Sequence, residues 1–234
     1  MRHASRSAVV TGAAMGIGQA IAQRLSDDGW HVVAVDQVDR AVLGNFAGHL
    51  IGDVREFATH RSAAALAAEI APLGAWVNNA GIVPHTPLHE LDEDLVRRAI
   101  ETNGLGYIWG AAAAVQEFLR ESTPGSIVNI GSIHGRLSSS DHAAYEFTKA
   151  GGDALSKSIA VSYGPVGIRA NTVAPGAIMT PHLRESFEAD GVDPDRRRRL
   201  EESAPLRRIG SPEEVADLVA YLVSDRASFV SGQS

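Results

Sequence analysis

Short, almost uninterrupted apolar runs recur along this chain, separated by longer stretches whose apolar positions repeat every three to four residues. The runs are RSAVVTG (6–12), WHVVAVD (30–36), HLIGDV (49–54), AWVNNAG (75–81), SIVNIGS (126–132) and IRANTVAPG (168–176). Each has the length of a strand and closes on glycine, proline, serine or an acid-containing turn. Strands that are apolar on both faces suit a parallel sheet covered on both sides. The intervening periods predict helices over 16–28, 55–71, 90–120 and 143–163. In the first of these Ile17, Ala20, Ile21 and Leu25 share a face and Gly29 is the stop. The stretch 90–120 reads as two pieces, the second holding Asn103 and GAAAAV. Ser211, Pro212 and Glu214 open a last helix as a capping box, continued by Val215, Leu218, Val219 and Leu222.

Two stretches are weak in pattern. Residues 37–50 hold at most a short helix near 39–43, and 177–208 reads as an irregular or helical, arginine-rich loop or lid over a substrate. Strand, helix, strand within the first 36 residues is a βαβ unit. With no linker and no repeat beyond this alternation, residues 1–234 are expected to form a single α/β domain: a doubly wound, Rossmann-like parallel sheet with helices on both faces. Phe229-Val230 reads as the approach to one more strand, so the sequence is expected to be incomplete at its C-terminus.

Composition narrows the function without naming it. A net charge of -7 offers no basic footprint for nucleic acid. The apolar runs are too short for a membrane span, and the first residues read as a strand, not a signal peptide. Absence of cysteine removes disulfides and thiolate chemistry and fits a reducing cytoplasm.

Candidate chemistry starts at the first strand's end. Thr11-Gly12-Ala13-Ala14-Met15-Gly16-Ile17-Gly18 joins a strand to a helix, where glycines allow a tight turn and the helix N-terminus offers unpaired N–H groups to a pyrophosphate. A packing turn is the plainer reading, made weaker by the strand–helix context. Asp36 closes the second strand, eighteen residues after Gly18. A carboxylate there accepts both ribose hydroxyls and repels a 2′-phosphate, so NAD is favoured over NADP. Asp53 is either an adenine contact or a cap for the helix at 55–58. Asn78 and Asn79 tie the turn after the fourth strand. Tyr145 and Lys149 share a helix face. An ammonium there would lower the phenol from its free pKa of about 10 and suit it to proton transfer, although a solvated pair is the blander alternative.

Together, TGAAMGIG at 11–18, NNAG at 78–81, Asn103, Ser132, YEFTK at 145–149 and PG at 175–176 resemble the short-chain dehydrogenases/reductases over nearly the whole chain. The resemblance implies a seven-stranded parallel sheet, hydride exchange between a nicotinamide and a secondary alcohol or ketone, and a homotetramer or homodimer. It gives Tyr145 the acid/base role, Ser132 the substrate oxygen, Lys149 the nicotinamide ribose and the phenol's pKa, and Asn103 a proton-relay water. It assigns cofactor contacts to Gly12, Met15, Gly16, Ile17 and Gly18, to Asp36, Asp53 and Val54, and to Asn79, Ala80 and Gly81. Tyr145 and Lys149 join them, with Pro175, Gly176, Ile178 and Thr180.

Substrate choice is expected to come from 82–88, 133–144 and 177–206. His85, His134, His142 and His182 lie there without metal-ligand spacing, so no metal is expected. The run Arg196–Arg199 is an anion-attracting lid or, preferred, a solvated face paired with Asp193, Asp195, Glu201 and Glu202. Gly151, Gly152 and Ala154 suit close packing, on the sheet or on another subunit. The leading function is NAD-dependent oxidation of a secondary alcohol. The alternatives are a 3-oxoacyl thioester reductase and a non-catalytic dinucleotide-binding regulatory protein on the same fold.

Overall fold

A computed structural model describes residues 6–38, 45–188, 193 and 195–234. The short helix expected near 39–43 lies outside them. Six strands form one parallel sheet: β1 (Ser7–Thr11), β2 (His31–Asp36), β3 (Gly48–Ile51), β4 (Leu73–Asn78), β5 (Ser126–Ile130) and β6 (Arg169–Val173). Their spatial order is β3-β2-β1-β4-β5-β6. The chain therefore builds outward from β1 in one direction, returns, and builds from β4 in the other. That reversal opens a crevice at the strands' carboxyl ends, where open α/β sheets bind ligands.

The apolar runs have the predicted cause. In β1, Ala8 and Val10 face the core shared with α1 (Gly16–Asp27) and α8 (Pro212–Val223), while Val9 faces the opposite core with α2 (Phe57–Ile70) and α4 (Gly106–Glu121). β2 divides in the same way, Val32 and Ala34 against Val33 and Val35. Both faces are covered, so both alternating sets must be apolar.

Several boundaries differ from expectation. β3 ends at Ile51, so Asp53 lies in the following turn; β4 begins two residues early, at Leu73. The helix expected in two pieces is continuous: α3 (Glu93–Ala99) passes through a π-helical segment, Ile100–Leu105, into α4. The widened turns hold Asn103 buried without interrupting the helix. α5 (Ala143–Tyr163) matches its predicted span, and the capping box of α8 is formed in both directions. The stretch 177–208 contains α6 (Pro181–Glu188) and α7 (Arg196–Ser203).

Six described strands stand where the resemblance implied seven. Residues 231–233 run beside β6 instead: Gly232 N donates to Ala170 O at 2.7 Å, and Thr172 N donates to Gln233 O at 2.8 Å. These bonds extend the ladder without reaching the length of a regular strand.

Candidate active site

A cleft of about 960 Å³ runs across the carboxyl ends of the strands. It is lined by Gly12, Met15, Gly16, Ile17, Gly18, Asp36 and Val54, by Asn79, Ala80 and Gly81, and by Ser132, Tyr145, Lys149, Pro175, Gly176, Ile178 and Thr180. Thr180 closes over the glycine turn, where a Cβ on Gly16 would meet its Cγ2 at 3.3 Å. Of the residues to which the resemblance gave a catalytic or cofactor role, Asp53 and Asn103 are the two that do not line the cleft.

The glycine turn is shaped by close approach. Gly12 has φ +67°, and a Cβ there would meet Ala80 Cα at 2.8 Å; a Cβ on Gly18 would sit 2.0 Å from Gly12 O. Thr11 ties this turn to the end of β4, its hydroxyl accepting from Asn79 N at 3.0 Å and Ala80 N at 3.2 Å. Asn79 Nδ2 returns bonds to the Thr11 and Gly12 carbonyls at 2.9 and 3.0 Å. Met15 begins α1 without a side-chain cap, which leaves first-turn N–H groups for an anion.

Asp36 is held at the turn by Ala14 N at 2.9 Å and Gln37 N at 2.7 Å. An uncapped helix start, a tight glycine turn and a carboxylate at the end of β2 form a donor and acceptor set that fits a dinucleotide. Asp53 is engaged within its own turn. Its carboxylate takes Arg55 N at 2.9 Å and Arg55 Nε at 2.8 Å, and that guanidinium holds the carboxyl below its ordinary pKa. It does not cap α2, whose N-cap is Glu56.

Ser132 is buried at the start of the loop after β5, its hydroxyl accepting from His134 N at 3.1 Å. Tyr145 stands on the first turn of α5. Burial pushes its phenol above the ordinary value, opposed by a hydrogen bond to Ser132. Lys149 is buried one turn on, and desolvation pushes it down to about 7. Its ammonium donates to Tyr107 Oη at 2.9 Å and Ile130 O at 2.7 Å, 5.7 Å from the centre of the Tyr145 ring. The expected lowering of the Tyr145 phenol is therefore not seen. Burial outweighs it, and the same burial weakens Lys149 as a cation.

Asn103 sits behind the cleft. Its Oδ1 accepts from Ile82 N and its Nδ2 donates to Ile82 O, both at 2.8 Å, fixing the loop after Gly81. His182 lines the cleft, His134 packs edge-on near Tyr145 at 6.4 Å, and His85 and His142 meet each other at 5.9 Å. Among the described residues no group of three or more His, Asp or Glu is placed to hold a metal. The arginine run is largely ion-paired: Arg197 with Glu201, Arg198 with Asp195 and Glu202, and Arg199 with Asp193. Arg196 instead donates to Ser186 O and lies over the Phe187 ring.

Thr11 was named from sequence only as the start of the glycine motif, with no role of its own, and Tyr107 was not singled out. Tyr107 carried a signal, since it follows Asn103 by one helical turn and is the one phenol in a run of small and apolar residues.

Residues 12–234 match the family model described as enoyl-(acyl carrier protein) reductase. The chain belongs to the short-chain dehydrogenase/reductase family. It is thus an NAD(P)-dependent oxidoreductase of alcohols and ketones. It is 41% identical to cis-4-hydroxycyclohexanecarboxylate dehydrogenase of Sinomonas cyclohexanicum, over 98% of this chain and 93% of that protein. It is 34% identical to 3beta-hydroxysteroid dehydrogenase 1 of Eggerthella lenta, over 97% and 90%. Among solved structures, the ligand-free aldohexose dehydrogenase of Thermoplasma acidophilum superposes with a TM-score of 0.89 at 34% identity, covering 98% of this chain and 91% of that one. Among the described residues no helix is long and apolar enough to cross a membrane.

Proposed function

We propose that this protein is an NAD-dependent dehydrogenase of secondary alcohols carried on a ring, acting reversibly on the corresponding ketone. The observation that carries the reading is the shared cleft: Ser132, Tyr145 and Lys149 line it together with Asp36 and the start of α1. Ring alcohols are favoured because two of the similar dehydrogenases are named for a hydroxycyclohexane acid and a hydroxysteroid.

NAD, when bound, supplies the hydride acceptor. Gly12, Met15, Gly16, Ile17 and Gly18 hold its phosphates at the start of α1, and Asp36 accepts the adenosine ribose hydroxyls. Val54, Asn79, Ala80 and Gly81 form the middle of the floor. Pro175, Gly176, Ile178 and Thr180 wall the nicotinamide end. Asp53 acts at one remove, its carboxylate committed to Arg55, which itself lines the cleft.

At the substrate, Ser132 donates to the oxygen on which negative charge develops. Tyr145 Oη takes the alcohol proton in oxidation and returns it in reduction. Lys149 binds the ribose and favours the phenolate when protonated. Asn103 keeps the Ile82 loop in place and supports a water beside Lys149. These residues orient and exchange protons; the redox change belongs to the cofactor.

The protein is read as cytoplasmic and as a homotetramer or homodimer. Leu105, at the end of the π-helical segment, Ile108 on α4, and Phe147 and Val161 on α5 leave apolar surface, and Gly151 and Ala154 of α5 are exposed as well. Gly152 instead faces inward, next to the Tyr107 ring.

The test is a panel of cyclic and acyclic secondary alcohols, ketones and 3-oxoacyl thioesters, each with NAD(H) and NADP(H), followed by nicotinamide absorbance. Thioesters belong in it because the matched family model is described as an acyl-carrier-protein reductase. Fast turnover of ring alcohols with NAD is expected. Preference for thioesters with NADPH would replace this reading with the reductase. Cofactor binding with no turnover of any member would return the regulatory one.

A further inference from the structure

We infer that Tyr107 is a positioning residue for Lys149, its buried hydroxyl and the Ile130 carbonyl together fixing the ammonium on the cleft wall beside Tyr145. The inference rests on the proposed function, because it serves the role assigned there to Lys149.

Tyr107 lies on the first turn of α4, and its ring packs beside Gly152 of α5, where a Cβ would be 3.7 Å away. Its hydroxyl donates to Ile130 O at 2.7 Å and accepts from Lys149 Nζ at 2.9 Å; Lys149 Nζ also donates to Ile130 O at 2.7 Å. The ammonium lies 5.0 Å from the centre of the Tyr107 ring. Two of its three N–H groups are engaged, which leaves one for the cleft that Lys149 lines.

The titratable groups facing Lys149 are Tyr107 from α4 and Tyr145 on its own helix; β5 supplies only the Ile130 carbonyl. Asp153, one turn further along α5, is taken by Arg136 at 3.2 Å. No carboxylate of the described residues pairs with Lys149. Burial pushes the Tyr107 phenol far above its ordinary value, so it stays a neutral acceptor across the assay range. Loss of that acceptor leaves a buried ammonium with one partner and favours its neutral form.

Tyr107→Phe keeps the ring and removes the hydroxyl. The chain has two lysines, Lys149 and the exposed Lys157, so the full-length protein labelled with carbon-13 lysine gives one signal of interest and one internal reference. In the cofactor-free variant the Lys149 midpoint is expected to fall by about one pH unit, the tenfold effect of losing one hydrogen bond to a charged group. The ascending limb of kcat against pH for alcohol oxidation is expected to move the opposite way, because phenolate formation at Tyr145 loses ammonium support. An unmoved Lys149 midpoint overturns the inference, even if the variant melts at a lower temperature. A lowered midpoint with an unshifted limb overturns it as well, since Tyr107 would then touch Lys149 without serving the reaction. Should wild-type protein oxidise no alcohol, the proposed function fails while the lysine signals still decide whether Tyr107 holds Lys149.

Discussion

Thr11→Val is the substitution that most directly tests how the cofactor turn is held. Valine fills the same volume in the buried β1 position but has no acceptor, and the Thr11 hydroxyl takes two backbone N–H groups, from Asn79 and Ala80. Both donors are partly buried, so water can replace part of what is lost. Leaving a buried donor unsatisfied costs about 1–3 kcal/mol, and two half-buried ones together should cost about 2 kcal/mol. For a chain of this length that corresponds to a fall in Tm of about 4–8 °C. The same change frees the Asn79 turn to move against Gly12, where the backbones meet too closely for any added Cβ. Cofactor KM should therefore rise while kcat at saturating cofactor changes little. Thermal melts of the cofactor-free protein, paired with cofactor-saturation kinetics, measure both effects. A Tm within about 1 °C of wild type, or a loss confined to kcat, would refute the view that Thr11 joins β1 and β4 into one cofactor floor.

Tyr145→Phe should lower turnover by about 100- to 10,000-fold, the range for losing a positioned proton-transfer group, with cofactor binding retained by calorimetry. Asp36→Ala should shift the ratio of kcat/KM for NAD over NADP toward NADP; an unchanged ratio would remove Asp36 from cofactor selection. Lys149→Met bears on the pH dependence of stability. The folded pKa of Lys149 is depressed to about 7 from 10.5, so between those values the unfolded chain binds more protons and stability rises with pH. Wild type should therefore gain on the methionine variant by about 3 kcal/mol between pH 7 and 10 in denaturant titrations, with no further divergence below pH 7.

The parts of this protein legible in its sequence are those where one local pattern has one physical outcome. The double-faced apolar runs became parallel strands of one sheet, and Ser211, Pro212 and Glu214 began a helix. The span of α5 followed from its periodicity and from Pro165 and Gly167 beyond its end. The Asn103-Gly104 pair marks a break in helical pattern, but a π-helical segment at 100–105 inside one continuous helix was not legible, because a break signal does not say whether the chain stops or widens. The fate of Asp53 was hidden for a different reason. Asp53 and Arg55 are close enough in sequence to pair, but whether a turn brings them together depends on where β3 stops. The Tyr145–Lys149 relation was read correctly as a shared face and incompletely as electrostatics. Periodicity gives the neighbours on a helix but not the desolvation that both side chains undergo, nor the Tyr107 hydroxyl arriving from α4.

The continuous helix through α3 and α4 has one property that ordinary helices lack. An α-helix turns about 100° and rises about 1.5 Å per residue, so deleting one residue rotates everything beyond it by more than a quarter-turn. The π-helical segment holds the surplus that such a deletion would erase. Shortening it by one residue would heal the hydrogen-bond ladder and produce a more regular helix. Yet Asn103 could then face the Ile82 loop only if Tyr107, Gly110, Ala111, Ala114 and Phe118 turned away from the sheet they now cover. The two ends of this helix are phased for different jobs, one for the cleft and one for the core, and the widened turns are the gearing between them. Chain length here should tolerate neither loss nor gain, although every side chain in 100–105 other than Asn103 is partly or fully exposed.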